Sequence, residues 1–77
     1  MILIDRVGHM VSTENAEELH GFAGKLGLKR RWYQSPRSGE QHAHYDLTSR
    51  HIYKKAVRFG ARQVDPSDLV RCAWWNI

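Results

Sequence analysis

The chain has 77 residues, 42% hydrophobic and 26% charged, which excludes a multidomain protein, a collagen-like repeat and low-complexity sequence. A domain this short buries only about 60–65% of the surface its unfolded chain exposes, so it needs support from a disulfide, a metal or a partner copy. Its single cysteine, Cys72, excludes an intrachain disulfide, and twelve Lys and Arg against eight Asp and Glu set a net charge of +4 that favours anionic partners.

Residues 2–4, Ile-Leu-Ile, form an apolar run stopped by Asp5, the pattern of a buried strand. The run is too short for a signal peptide or a membrane span, and a lone cysteine suits a reducing compartment, so a cytoplasmic protein with no membrane partner is expected. Residues 6–14 contain Gly8, Ser12 and Thr13 and read as a loop. Asn15 then stands as an N-cap with Glu18 three residues on, and Leu19, Phe22, Ala23 and Leu26 recur at helical spacing before Gly27.

Residues 30–34, with Trp32 and Tyr33 behind two arginines, read as a second strand, and residues 35–41, with Pro36 and Gly39, as a loop. Thr48 is the expected N-cap of a second helix over residues 49–59, with Ile52, Ala56 and Phe59 as its buried stripe and Gly60 as its stop. Residues 62–64 form a short third strand. Asp65-Pro66-Ser67-Asp68 opens a third helix with Leu69, Val70 and Ala73 inward. The order is βαβαβα. It predicts one α/β domain over residues 1–77, a small three-layer unit with a three-stranded, mainly parallel sheet. In such sheets ligands bind beyond the carboxyl ends of the strands, which here carry residues 5–14, residues 35–47 and Asp65.

Several of these residues form a recognisable order: Asp5 after the first strand, His9-Met10-Val11-Ser12, Glu17-Glu18-Leu19-His20-Gly21-Phe22-Ala23 running to Leu26-Gly27, His44-Tyr45-Asp46-Leu47, and Gly60-Ala61. Over residues 2–71 this resembles the bacterial and phage proteins grouped as domain of unknown function 4031. The resemblance supports the fold reading, implies no catalytic assignment and makes a phage-encoded protein acting in a host cytoplasm an expectation. Relative to that family, residues 34–42 are an enlargement.

Chemistry concentrates at the strand ends. His42, His44 and Asp46 alternate, so an extended segment presents them on one side. With Asp5, they form a candidate set for a divalent metal, and His9 could join them as a further ligand or as a general base. The same residues also suit a metal-free polar site or a local hydrogen-bond network. No cofactor is required by any motif. His20 is expected at the edge of the core and His51 in solvent. Lys29, Arg30, Arg31, Trp32, Tyr33 and Arg37 mix cations with aromatics, which suits phosphate pairing and base stacking or, alternatively, a strand with Trp32 in the core. Arg50, at the start of the second helix, is another phosphate candidate. Lys54, Lys55, Arg58 and Arg62 add a basic flank, either a nucleic-acid footprint or a solvated helix face. No phosphate-binding glycine loop appears, and Cys72 reads as a buried residue, not a nucleophile.

Three functions remain open from the sequence. The first is a non-catalytic binding protein for a phosphate-bearing ligand, a nucleotide or a host signalling nucleotide, with Asp5, His9, Arg31, Arg37, His44, Tyr45, Asp46 and Arg50 around it. The second is a metal-dependent phosphohydrolase or nuclease built on the Asp/His cluster. The third is a module that blocks a host protein. Trp74, Trp75 and Ile77 form an apolar tail expected at the interface of a homo-oligomer.

Overall fold

The computed structural model describes residues 1–34 and 43–72. The expectations for Arg37, His42, Trp74, Trp75, Ile77 and the Cys72 side chain lie outside the described residues. Among the described residues the protein is mixed α/β, with three α-helices and a four-stranded sheet in the order β3 (Tyr45–Asp46), β2 (His9–Ser12), β1 (Ile2–Ile4), β4 (Arg62–Gln63).

Strand β1 (Ile2–Ile4) is buried at all three positions, because both of its faces are covered. It does not lead into a loop. It turns through Asp5–Gly8 into β2 (His9–Ser12), an antiparallel partner in the register Ile2↔Ser12, Leu3↔Val11 and Ile4↔Met10. A connection this short can join only antiparallel strands. Gly8 makes it possible: its φ is +106°, and a Cβ there would lie 3.0 Å from the Leu47 carbonyl oxygen. That close approach is used, because the Leu47 N–H donates to the Gly8 carbonyl at 2.6 Å.

Strand β3 (Tyr45–Asp46) runs antiparallel to β2, pairing His9 with Asp46 and Met10 with Tyr45. Strand β4 (Arg62–Gln63) lies parallel to β1, pairing with Leu3 and Ile4. The sheet therefore has one parallel and two antiparallel pairings, a correction to the mainly parallel, three-stranded expectation. Residues 30–34 are also corrected. Arg30–Trp32 is a 3₁₀ turn, with the Trp32 N–H on the Lys29 carbonyl at 2.9 Å, and only Gln34 bridges to His44. Aromatic residues favour strands by packing on a half-buried pleated surface, and this segment exposes Arg30, Arg31 and Trp32 instead.

The pleat explains the layers. Ile2, Ile4 and Met10 share one face with Leu19, Ala23 and Leu26 around α1 (Ala16–Lys25) and with Ala56 of α2 (Arg50–Arg58). Leu3 and Val11 point to the other face, against Leu69 of α3 (Pro66–Cys72) and against Val64, which precedes that helix. Helix α1 starts as its capping residues predict, with the Glu18 N–H on the Asn15 side chain at 2.8 Å. It ends at Gly27, whose φ of +83° lets the Leu28 N–H reach back to the Ala23 carbonyl at 3.0 Å. Helix α2 is capped by Ser49 rather than Thr48, its Oγ accepting from the Ile52 N–H at 3.1 Å. Phe59, expected in the buried stripe, is 45% exposed, because the helix closes there and turns its last residue outward.

Candidate functional site

The candidate site lies on the β2–β3 side of the sheet, on the face where α3 packs against Leu3 and Val11. Two rules of strand geometry build it. Alternation puts His44 and Asp46 on one side, and the β2–β3 register sets His9 opposite Asp46. The donor atoms of His9, His44 and Asp46 all lie within 4.8 Å of one another. His44 Nε2 is 3.4 Å from Asp46 Oδ1, and His9 Nε2 is 4.0 Å from the same oxygen. The two imidazoles meet edge to face with centroids 5.3 Å apart.

Asp5 stands behind this group. It is 1% exposed, and its Oδ1 accepts from the backbone N–H groups of Val7, Gly8 and His9 at 3.0, 2.9 and 2.9 Å. Its Oδ2 lies 3.1 Å from His9 Nδ1. Burial works to raise its pKa. The hydrogen bonds from the His9 backbone and ring and from Gly8 outweigh that, so the carboxyl titrates below its ordinary range. An ionised carboxylate only accepts, so the proton of neutral His9 sits on Nδ1 and the Nε2 lone pair faces His44 and Asp46. Asp5, expected among the metal ligands, is thus the residue that closes the turn and orients His9.

Asp46 is fixed from the other side. Gln34 Nε2 donates to its Oδ2 at 2.6 Å, a contact that no sequence signal announced. A metal bound at ordinary imidazole and carboxylate distances in a tetrahedral shell needs donors about 3.3 Å apart. The His44–Asp46 pair already has that spacing, whereas His9, with donor separations in the cluster reaching 4.8 Å, must move by about 1.5 Å. Asp46 and His9 are partly exposed, at 47% and 37%, so their side chains have room to adjust. Three donors, two imidazoles and one carboxylate, leave coordination positions free for water or a ligand.

Asp46 also lines a cleft of about 390 Å³ together with Arg31, Trp32, Gln34 and Thr48. Arg50 lines a neighbouring cleft with Gly8, Leu47, Thr48 and Ser49, so the two clefts meet at Thr48. The expected phosphate contacts Arg31 and Arg50 therefore line different clefts, and of the two only the Arg31 cleft includes a residue of the cluster, Asp46. Trp32, expected in the core, is 46% exposed.

Tyr45 belongs to the opposite face. It is 1% exposed in the main core, and its hydroxyl bonds His20 Nδ1 at 2.6 Å, while the Tyr33 ring lies 4.5 Å from the His20 ring. The expected ligand contact for Tyr45 is replaced by a packing role, and His20 is the boundary histidine that the sequence suggests. Burial, helped by the charge of Arg30, holds the His20 pKa below its ordinary 6.5. The unfolded chain therefore binds this proton at a higher pH than the folded one, and stability is lost as pH falls from about 6.5 towards the folded value. Thermal unfolding followed from about pH 7.5 to about pH 5 should show a shallower decline in Tm for His20→Gln than for the parent. Equal slopes would assign the acid sensitivity to other groups.

The basic flank is real as a surface. His51, Lys54, Lys55 and Arg58 line the outward side of α2 with Phe59, and the Lys55 ammonium sits 5.7 Å from the Phe59 ring centroid. Arg62 is on the exposed edge strand β4. Among the described residues, no helix is long and apolar enough to cross a membrane.

Fold and site together define a small α/β protein with a three-donor His/Asp cluster at a sheet edge. A family model described as "Protein of unknown function (DUF4031)" matches residues 4–75, and the chain belongs to that family. It has no significant match among curated proteins or among solved structures.

Proposed function

We propose that His9, His44 and Asp46 bind one divalent transition metal and that the protein is a small metal-dependent phosphoesterase. The observation that carries this reading is the convergence of the three donors with a buried carboxylate set behind one of them. An imidazole that donates its far N–H to a carboxylate is the usual arrangement of a metal-binding histidine. Structural zinc sites close with four protein ligands, commonly cysteines, whereas a three-ligand site at a cleft suits chemistry. When bound, the metal would polarise a phosphoryl oxygen and lower the pKa of a coordinated water towards neutrality. Asp5 keeps the His9 proton away from the metal, Gln34 fixes the carboxylate of Asp46, and Arg31 meets phosphate charge in the cleft.

The net charge of +4 supports an anionic substrate. The same arrangement also supports a non-catalytic holder of a metal-bridged phosphate ligand, and turnover separates the two. Protein stripped with a chelator should take up Mn²⁺, Co²⁺ or Zn²⁺ in a one-to-one ratio by competition with a chromogenic chelator. It should then hydrolyse p-nitrophenyl phosphate or its bis ester only when metal is present. Metal uptake without turnover would favour the holder; no uptake of any of the three ions would reject the site.

A further inference from the structure

Resting on the metal-site reading, we infer that the ligand of this site is a nucleoside phosphate whose base stacks on Trp32 while its phosphate meets the metal and Arg31. Trp32 is the observation that the phosphoesterase reading does not use. In a protein with so small a core, a tryptophan side chain is among the largest gains available from burial. Here the 3₁₀ turn Arg30–Trp32 instead carries Trp32 outward, and the ring remains 46% exposed. It is also not on an indifferent surface, because it lines the same cleft as the proposed metal ligand Asp46.

The cleft contains one of each group that a nucleotide requires. Trp32 offers a flat π face, Arg31 a guanidinium, Thr48 a hydroxyl, and Asp46 the edge of the metal site. The Lys29 ammonium lies over the Trp32 ring, 5.9 Å from its centroid, so a stacked base takes the opposite face of the indole. A volume of about 390 Å³ lies in the range of small-molecule sites, about 300–1,000 Å³, and is large enough for more than a bare phosphate. Stacking on an aromatic platform is tolerant of base identity, since every base has a π face, so the preference expected is for a base over no base. The chemistry is the same for a free mononucleotide and for the terminal nucleotide of a single strand.

The test uses non-hydrolysable probes on the metal-loaded protein. One is the phosphonate analogue of adenosine 5′-monophosphate, with a methylene in place of the bridging oxygen. The other is the matching ribose phosphonate without a base. Calorimetry should show the base-bearing probe binding at least about 10-fold more tightly. Trp32→Ala should abolish that difference, Trp32→Phe should keep most of it, and both variants should take up metal as the parent does. Equal binding of the two probes by the parent, or an undiminished preference in Trp32→Ala, would overturn the proposal. Failure of metal uptake with a Trp32-dependent preference intact would overturn the metal reading and leave the stacking site standing. A tetraadenylate with the same 5′-phosphonate and methylene phosphonate linkages distinguishes the sources: tighter binding than the mononucleotide analogue assigns a strand end, and weaker binding assigns the free nucleotide.

Discussion

Asp46→Ala is expected to lower metal affinity by more than about 100-fold, beyond the loss caused by removing a group that only supports a ligand, and to leave the fold nearly untouched. Both halves follow from its position. The carboxylate is the point on which the two imidazole nitrogens converge, at 3.4 and 4.0 Å, so its removal leaves two neutral donors and no anionic one. It is also 47% exposed, and exposed substitutions without a special structural role usually change stability by within about 0.5 kcal/mol. The Gln34 contact is the structural loss, and it lies at the surface. His44→Ala should abolish metal uptake as well, but with a drop in Tm, because His44 is only 3% exposed. Asp46→Ala is therefore the cleaner variant. Chelator competition and a thermal melt on the same sample check it, and unchanged metal affinity would remove Asp46 from the ligand set.

Two substitutions of Asp5 should separate its two tasks. Asp5→Ala removes the acceptor for three backbone N–H groups and the His9 ring at once. The Gly8 N–H keeps only its 3.1 Å bond to the Asp5 carbonyl, while the charge-assisted bonds from Val7, Gly8 and His9 are lost together, and hydrogen bonds to a charged acceptor are the strong ones. A loss of about 3–5 kcal/mol is expected, a large share of the roughly 4–12 kcal/mol available to a domain of this size. Denaturant unfolding measures it, and a midpoint close to that of the parent would show that the turn stands without the carboxylate. Asp5→Asn keeps an oxygen for the backbone groups but can place an NH₂ against His9 Nδ1. Two donors then face each other, and His9 is driven to the tautomer with its proton on Nε2, the atom meant for the metal. Metal affinity should fall by about 10–100-fold with a much smaller cost in stability. The ¹⁵N shifts of the imidazole report the tautomer directly, and an unchanged Nδ1–H form in Asp5→Asn would reject the positioning role.

The elements that carry their own signals were legible in the sequence. Ile2–Ile4 is apolar throughout because it is covered on both faces, and α1 announces itself through Asn15, its stripe and Gly27. Strand β2 was not legible, because Gly8, Ser12 and Thr13 surround a single apolar pair, Met10-Val11, and read as a loop. What makes it a strand is pairing with β1, a non-local gain that no window of residues displays. Tyr33 and Trp32 misled in the opposite direction, since their strand preference is a packing preference and the packing is absent at Trp32. The cluster of Asp5, His9, His44 and Asp46 was readable from residue type and from alternation. The same alternation, followed one step further, puts Tyr45 on the far side of the strand. The part of Asp5 as the acceptor of the turn, and the reach of Gln34 to Asp46, depend on a backbone path that composition does not encode.

Both rims of the sheet end in strands of only two residues, β3 on one side and β4 on the other. A stray chain seeking to extend the sheet would find a template too short to hold it, and each template carries polar or charged side chains, Asp46 at one rim and Arg62 with Gln63 at the other. Brevity at the rims thus works as protection against runaway strand addition, at the place where an open sheet is most prone to seeding fibres.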